Sequence, residues 1–319
     1  MIKSCYIHIP FCKNICSYCD FCKMYYNKDF IDKYLLSLEK EINLYYKNDL
    51  LNTLYIGGGT PSCLDEISLK KLFKIISIFK LNKTYEFTFE CNIEDINEKL
   101  LIFLKENKVN RISIGLQSFN KKYIEFMNRK YLNKKEITDK INLVKKYFNN
   151  INIDLIYGIN NETLKELQEE VDSFINLDVN HISLYSLILE DNTILKTKKY
   201  KEIDDDLNRK MYDYIRKTLK KNNYIHYEIS NFSKKGYMSK HNLCYWNNDN
   251  YYGFGLGSSG FIDNIRYTNT RSLNSYINGN YRYINEKIDN KRIEKLFGNL
   301  DYGTGMDCDL EMKYKYFKY

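Results

Sequence analysis

Short β-rich runs alternate along the chain with amphipathic helical runs. CYIHIP reads as a strand that starts almost at residue 1, and DFIDKYLLSLEKEINLYYK follows it with apolar residues at helical spacing. TLYIGG precedes DEISLKKLFKIISIF, EFTFECN precedes INEKLLIFLKEN, and RISIGLQS precedes a helical stretch through about Asn149. NINIDLIYG leads to ETLKELQEEVDSFIN, and HISLYSLIL leads to DDDLNRKMYDYIRKTLKKN. Six strand-then-helix units predict an α/β fold on a parallel sheet with right-handed crossovers. A complete barrel takes eight such units, so the expectation is a partial (β/α)6 TIM-like barrel over residues 1–223. Beyond it the alternation stops. IHYEISNFS, HNLCYW and the glycine-rich YYGFGLGSSGF form an α+β extension over residues 224–280, and the remainder is charged and Tyr-rich.

With 44% hydrophobic and 15% aromatic residues among 319, the chain can fill a sizeable core. No stretch of about 18 uninterrupted apolar residues occurs, so no transmembrane helix is expected. The run MIKSCYIHIPFC lacks the long apolar region of a signal peptide. The net charge of +8 comes from Lys residues spread over helix faces, without the dense basic block of a nucleic-acid-binding protein. Of nine Cys, four fall at Cys12, Cys16, Cys19 and Cys22. The odd count argues against a disulfide framework and for a reducing cytoplasm, with the tight group binding metal.

Cys12, Cys16 and Cys19 have C-x3-C-x2-C spacing and follow the first strand, at the end where barrel active sites lie. Three thiolates can hold three irons of a [4Fe–4S] cubane and leave the fourth open to a small molecule. A zinc site is the alternative, although closed structural zinc sites usually use four ligands in two pairs. Gly57-Gly58-Gly59-Thr60-Pro61 ends the second strand, where glycines let a ligand approach the backbone. Glu90 ends the third strand, Gln117 the fourth, and Asp154 lies in the fifth, each a polar residue in an apolar strand pattern. Taken singly, the alternative for each is a core polar group or a cap, and for Arg129 a solvated helix residue, but the joint position of the three strand residues around one barrel mouth favours ligand contacts.

YIHIPFCKNICSYCDF resembles the signature of radical S-adenosylmethionine (SAM) proteins, and its flanks resemble the oxygen-independent coproporphyrinogen III oxidase-like branch. Within that branch the likeness is to the HemW-type haem chaperones, from about Tyr6 to Arg271. The resemblance implies that Cys12, Cys16 and Cys19 bind the cluster. It carries SAM binding onto Tyr6, Gly58, Gly59, Thr60, Glu90, Gln117, Arg129 and Asp154, with Tyr18 and Ile188 as further contacts. The implied chemistry is reductive: SAM chelates the open iron, and an electron from the cluster can cleave its sulfonium to methionine and a 5′-deoxyadenosyl radical.

Two segments separate a chaperone from an enzyme. The coproporphyrinogen III dehydrogenases of porphyrin biosynthesis carry a further Cys two positions after the third, where this chain has Phe21; Cys22 reads as a small buried residue. His241-Asn242-Leu243-Cys244-Tyr245-Trp246 resembles the HNxxYW segment of the chaperones, which implies haem binding by His241, Asn242, Tyr245 and Trp246. His is a common axial ligand to haem iron, and Tyr and Trp offer flat apolar faces. A packed corner in which His241 only hydrogen-bonds is the alternative, and Cys244 is a candidate for haem attachment. The expected function is therefore a haem chaperone that passes haem to an acceptor protein; the alternative is the decarboxylating dehydrogenase. An electron donor of flavodoxin or ferredoxin type is the other implied partner, and peripheral membrane contact and a homodimer are compatible with the resemblance. The chain departs from the pattern at Asn160-Asn161-Glu162, at Gly255–Gly260, which lacks the family's His, and over 281–319, which reads as the start of a truncated helical domain.

Overall fold

The computed structural model describes residues 1–287, so the expected start of a helical domain lies, from residue 288 on, outside the described residues. Six parallel strands form the centre: β1 (Ser4–Ile9), β2 (Leu50–Gly58), β3 (Lys80–Asn92), β4 (Arg111–Gln117), β5 (Ile151–Tyr157) and β6 (His181–Ser186). Helices follow each in turn: α1 (Lys28–Tyr45), α2 (Glu66–Ile76), α3 (Glu98–Glu106), α4 (Lys121–Phe126) with α5 (Lys134–Tyr147), α6 (Leu164–Asn176), and α7 (Ile194–Thr197) with α8 (Asp205–Lys221). The expected six-unit partial barrel is what forms. Polar N-caps start the helices: Asn27, Asp65 and Asn97 accept first-turn amides, and Asn133 and Thr163 close full capping boxes with Glu136 and Glu166.

The extension is not a separate body. β7 (Ile225–His226) and β8 (Asn231–Ser233) pair antiparallel beyond β6. β9 (Tyr251–Phe254) pairs parallel to β1, and β10 (Ser259–Ile262), β11 (Ile265–Asn269) and β12 (Arg282–Lys287) continue antiparallel from it. The result is one 12-stranded open sheet, β12-β11-β10-β9-β1-β2-β3-β4-β5-β6-β8-β7. Two short helices complete the extension, α9 (Lys240–Trp246) and α10 (Leu273–Ile277). Glu41 of α1 is buried and binds the extension to the barrel: it accepts from Gly255 N–H (2.9 Å), Asn269 Nδ2 (2.6 Å) and the Tyr276 hydroxyl.

The two faces of the sheet differ in chemistry. Cys5, Ile7, Ile9, Leu54, Ile56, Phe87, Phe89, Ile112, Ile114, Ile153 and Ile182 pack in one core with α1, α2, α3, α5, α6 and α8. The alternate residues line the concave face: Tyr6, His8, Thr53, Tyr55, Glu86, Glu90, Ser113, Asn152, Asp154, His181 and Ser183, many hydrogen-bonded to one another. Period-two alternation thus directs apolar side chains to the helices and polar ones to the hollow.

Candidate functional site

The loop between β1 and α1 is held to the strand ends by its backbone. Met24 N–H donates to Pro10 O (2.7 Å), Tyr26 N–H to Cys12 O (2.8 Å), and Ser17 N–H to Met127 O (3.1 Å). His8 Nε2 lies 2.6 Å from Cys22 O. A carbonyl only accepts, so Nε2 carries the proton and Nδ1 accepts from the Tyr6 hydroxyl at 3.0 Å. Burial lowers the His8 pKa to about 4, against the pull of that carbonyl, so the ring is neutral.

Each motif cysteine has its own donor or cation. The Thr60 hydroxyl donates to Cys12 Sγ (3.4 Å) and Arg129 Nη1 to Cys16 Sγ (3.7 Å). The Lys23 ammonium donates to Cys19 O and opposes the burial that raises the Cys19 thiol. Burial pushes the Cys12 thiol up to about 11, with the Thr60 hydrogen bond opposing it. Cys22 turns away. It is buried where a Cβ on Gly257 would stand 2.4 Å from its own Cβ, beside Arg271. Phe21 projects outward, 59% exposed. Among the described residues no three His, Cys, Asp or Glu side chains are grouped to hold a single metal ion. Thiolates on one zinc stand about 3.8 Å apart, from Zn–S of ~2.3 Å in a tetrahedron. Cubane thiolates bind separate irons and stand wider.

The glycine turn meets this loop directly. A Cβ at Gly59 would lie 2.8 Å from Pro10 C and 3.0 Å from Cys12 Sγ; one at Gly58, with φ +112°, would lie 2.5 Å from the His8 ring. Gly58 N–H donates to Glu90 (2.9 Å), whose other oxygen accepts from Tyr55 OH (2.7 Å). Desolvation pushes the Glu90 carboxyl up to about 7 despite the Tyr55 hydrogen bond, and Asp154 adds to the rise. Burial also raises Asp154, which accepts from Asn152 Nδ2 (2.8 Å) and is an inward strand residue, not a cap. Gln117 sits at a register shift between β4 and β5 with φ +71°, and its buried Oε1 has no partner. Such a bulge re-aims a side chain, and such strain gathers at ligand sites.

Arg129 is not a solvated helix residue. Its guanidinium reaches Asn92 Oδ1 (3.0 Å), Gly115 O (2.9 Å) and Cys16, so it joins the cluster loop to the ends of β3 and β4. Tyr18 packs on a small apolar cluster with Tyr123, Met127, Leu187 and Leu189, and Ile188 is exposed between the last two. The hollow thus gathers two carboxyls whose pKa burial raises and one orphaned amide oxygen. Those acceptors fit a ligand with positive charge and hydroxyls, as SAM has, next to three thiols suited to irons.

His241 departs from the expectation of an axial haem ligand. It is 1% exposed, with Nδ1 2.8 Å from Thr53 Oγ1 and Nε2 2.7 Å from Tyr245 OH. Its ring packs on Tyr55 and Tyr245, each at 5.0 Å, and burial lowers its pKa to about 3. Both nitrogens are engaged, so in this conformation neither reaches a metal. Cys244 is also buried, its thiol directed at Asp249 O (3.8 Å), which removes it from haem attachment here. Asn242, Tyr245 and Trp246 are half-buried on α9. Sequence reasoning passed over His8, Asn92 and Lys23, although the inward parity of His8 and Asn92 was visible in strand alternation.

Residues 6–174 match the radical SAM superfamily. The heme chaperone HemW of Lactococcus lactis is 38% identical over 325 residues, covering 98% of this chain and 85% of that one. The heme chaperone HemW of Bacillus subtilis is 39% identical over 285 residues, covering 86% and 75%. Among solved structures, coproporphyrinogen III oxidase (HemN) from Escherichia coli superposes with a TM-score of 0.81 at 21% identity, over 93% of this chain and 75% of that one. That last likeness is one of fold.

Proposed function

The chain belongs to the radical SAM superfamily and, within it, to the HemW heme chaperone family, and from that footing we propose that it binds a [4Fe–4S] cluster, SAM and haem, and passes the haem to an acceptor protein. The observation that carries the cofactor reading is the contact between the three-cysteine loop and the Gly58–Thr60 turn, with Thr60, Arg129 and Lys23 each attending one cysteine. Cys12, Cys16 and Cys19 would hold the cluster, which when bound and reduced supplies an electron to a sulfonium. The chain's own residues position and neutralise. Glu90, Asp154 and Gln117 offer acceptors to the cationic ligand, the Gly58–Gly59 turn admits it closely, and Tyr6 and His8 brace the loop from below.

Phe21 favours a chaperone over a decarboxylating enzyme, because that position offers no thiol and Cys22 is turned into the protein. We assign the haem contact of α9 to Asn242, Tyr245 and Trp246, with His241 as the buried positioning residue behind them. Lys13, Lys23, Phe21 and Tyr25 surround the loop's outer side, where an acidic flavodoxin or ferredoxin would approach. Among the described residues no helix is long and apolar enough to cross a membrane. The test is an anaerobic incubation of the reconstituted protein with coproporphyrinogen III, SAM and a reductant, beside a haem-transfer assay to an apo-acceptor. The proposal expects transfer and no decarboxylated product; loss of two carboxylates from the substrate would overturn it.

A further inference from the structure

Arg111 opens β4, and its side chain points into the hollow beside Thr88, its register partner on β3. It is 2% exposed and heads the largest fully buried side chains. Its Nε has no hydrogen-bond partner, and no carboxylate among the described residues stands within ion-pair distance of it. The adjacent Thr88 Oγ1 is orphaned too, as are Ser233 Oγ and Asn231 Oδ1 across the hollow. A buried cation left alone costs several kcal/mol, and native structures rarely keep one without use.

The surrounding groups have settled their hydrogen bonds among themselves. Glu86 accepts from the first amides of α9, Lys240 (3.1 Å) and His241 (3.0 Å). Glu90 is taken by Tyr55 and Gly58, and Asp154 by Asn152. His181 donates through Nδ1 to Asn152 Oδ1 (2.5 Å) and faces Tyr227 OH with Nε2 (2.6 Å), and burial holds its pKa well below the ordinary imidazole value. Yet the charge of Arg111 is felt across the hollow: after burial, it is a further influence on Glu90, Asp154, His181 and His241. The guanidinium lies close enough to act on Tyr55, Glu90, Asp154, His181, Tyr227 and His241, and it is hydrogen-bonded to none of them.

We propose that Arg111 is a carboxylate anchor, binding in a bidentate pair the acid group of a ligand that enters the concave face. A planar fork of donors suits a carboxylate, and a lysine does not replace it. The inference rests on that face being the ligand-binding one and goes further by naming a subsite within it. Two sources present this chemistry: the amino-acid end of SAM and a porphyrin propionate.

Two ligand pairs distinguish them on cluster-reconstituted protein. Haem is compared with haem dimethyl ester by absorbance titration, and SAM with its decarboxylated analogue by calorimetry. Each pair is measured on wild type, Arg111→Met and Arg111→Lys. In one pair, the change to Met should reduce the preference for the acid-bearing ligand by about 10–100-fold, as loss of a charge-assisted pair does. The pair that responds identifies the source. The melting temperature of ligand-free Arg111→Met should equal or exceed that of wild type, because an uncompensated charge is removed. Preferences unchanged in both pairs, or a fall in melting temperature with unchanged preferences, overturn the inference. If Arg111→Met does not fold, Arg111→Lys decides by the same comparison. Absence of haem binding by wild type defeats the proposed function, while the SAM pair still decides the role of Arg111.

Discussion

Glu90→Gln separates a ligand-binding carboxylate from a merely structural one. The wild-type carboxyl is pushed up from 4.5 to about 7 by desolvation first, with Asp154 raising it further and Tyr55, Gly58 and Arg111 opposing. At 1.36 kcal/mol per unit that is at most about 3 kcal/mol between protonation states. Because the folded value lies above the unfolded one, this stabilisation is fully present below pH 4.5 and is lost as pH rises from there to about 7. A cationic ligand beside the group reverses the preference and favours the ionised form. The ratio of wild-type to variant SAM affinity should therefore climb between about pH 5 and 7 and level off above, at about 10–100-fold. Calorimetry on reconstituted protein under anaerobic conditions reads it. Taking the ratio cancels pH effects that belong to the ligand or the cluster. A ratio flat to within about twofold across that range would refute the argument.

His241→Ala should lower stability by about 2–4 kcal/mol, since it removes the ring's hydrogen bonds to Thr53 and Tyr245 and leaves a ring-sized hole. Thermal denaturation checks this, and an unchanged midpoint would place His241 outside the packing described. Glu41→Leu should cost about 3–5 kcal/mol by orphaning the donors of Gly255 and Tyr276 and removing one acceptor of Asn269, seen as a lower denaturant midpoint. Serine at position 12, 16 or 19 should abolish iron and sulfide retention, whereas Cys22→Ser should keep it, as metal and sulfide quantitation would show.

The six strand–helix units were legible because each strand is a compact apolar run and each helix has a clear cap and stripe. β9 was not: Tyr251–Phe254 becomes a strand only by pairing with β1, a contact between residues far apart in sequence. For the same reason the boundary expected at residue 223 does not separate two bodies, since the sheet runs through it. Within the site, cysteine spacing and the glycine turn could be read directly, because both are local. Arg129 could not. The turn at Asn128, with φ +56°, brings it back over Cys16, and no helical period records that. His241 read as a ligand because its segment resembles HNxxYW. Packing against Thr53 and Tyr55, distant in sequence, makes it a buried hydrogen-bonding residue instead. Arg111 carries no local mark in RISIGLQS, and only its pairing with Thr88 across β3 and β4 sets it among the polar residues of the sheet.

Haem titration of anaerobically reconstituted protein reports cluster and haem in one spectrum. A saturable Soret band at about one haem per chain, with the cluster absorbance retained, is the expected result. The band should weaken in Trp246→Ala. No Soret change in intact, cluster-loaded protein would contradict the haem-binding reading.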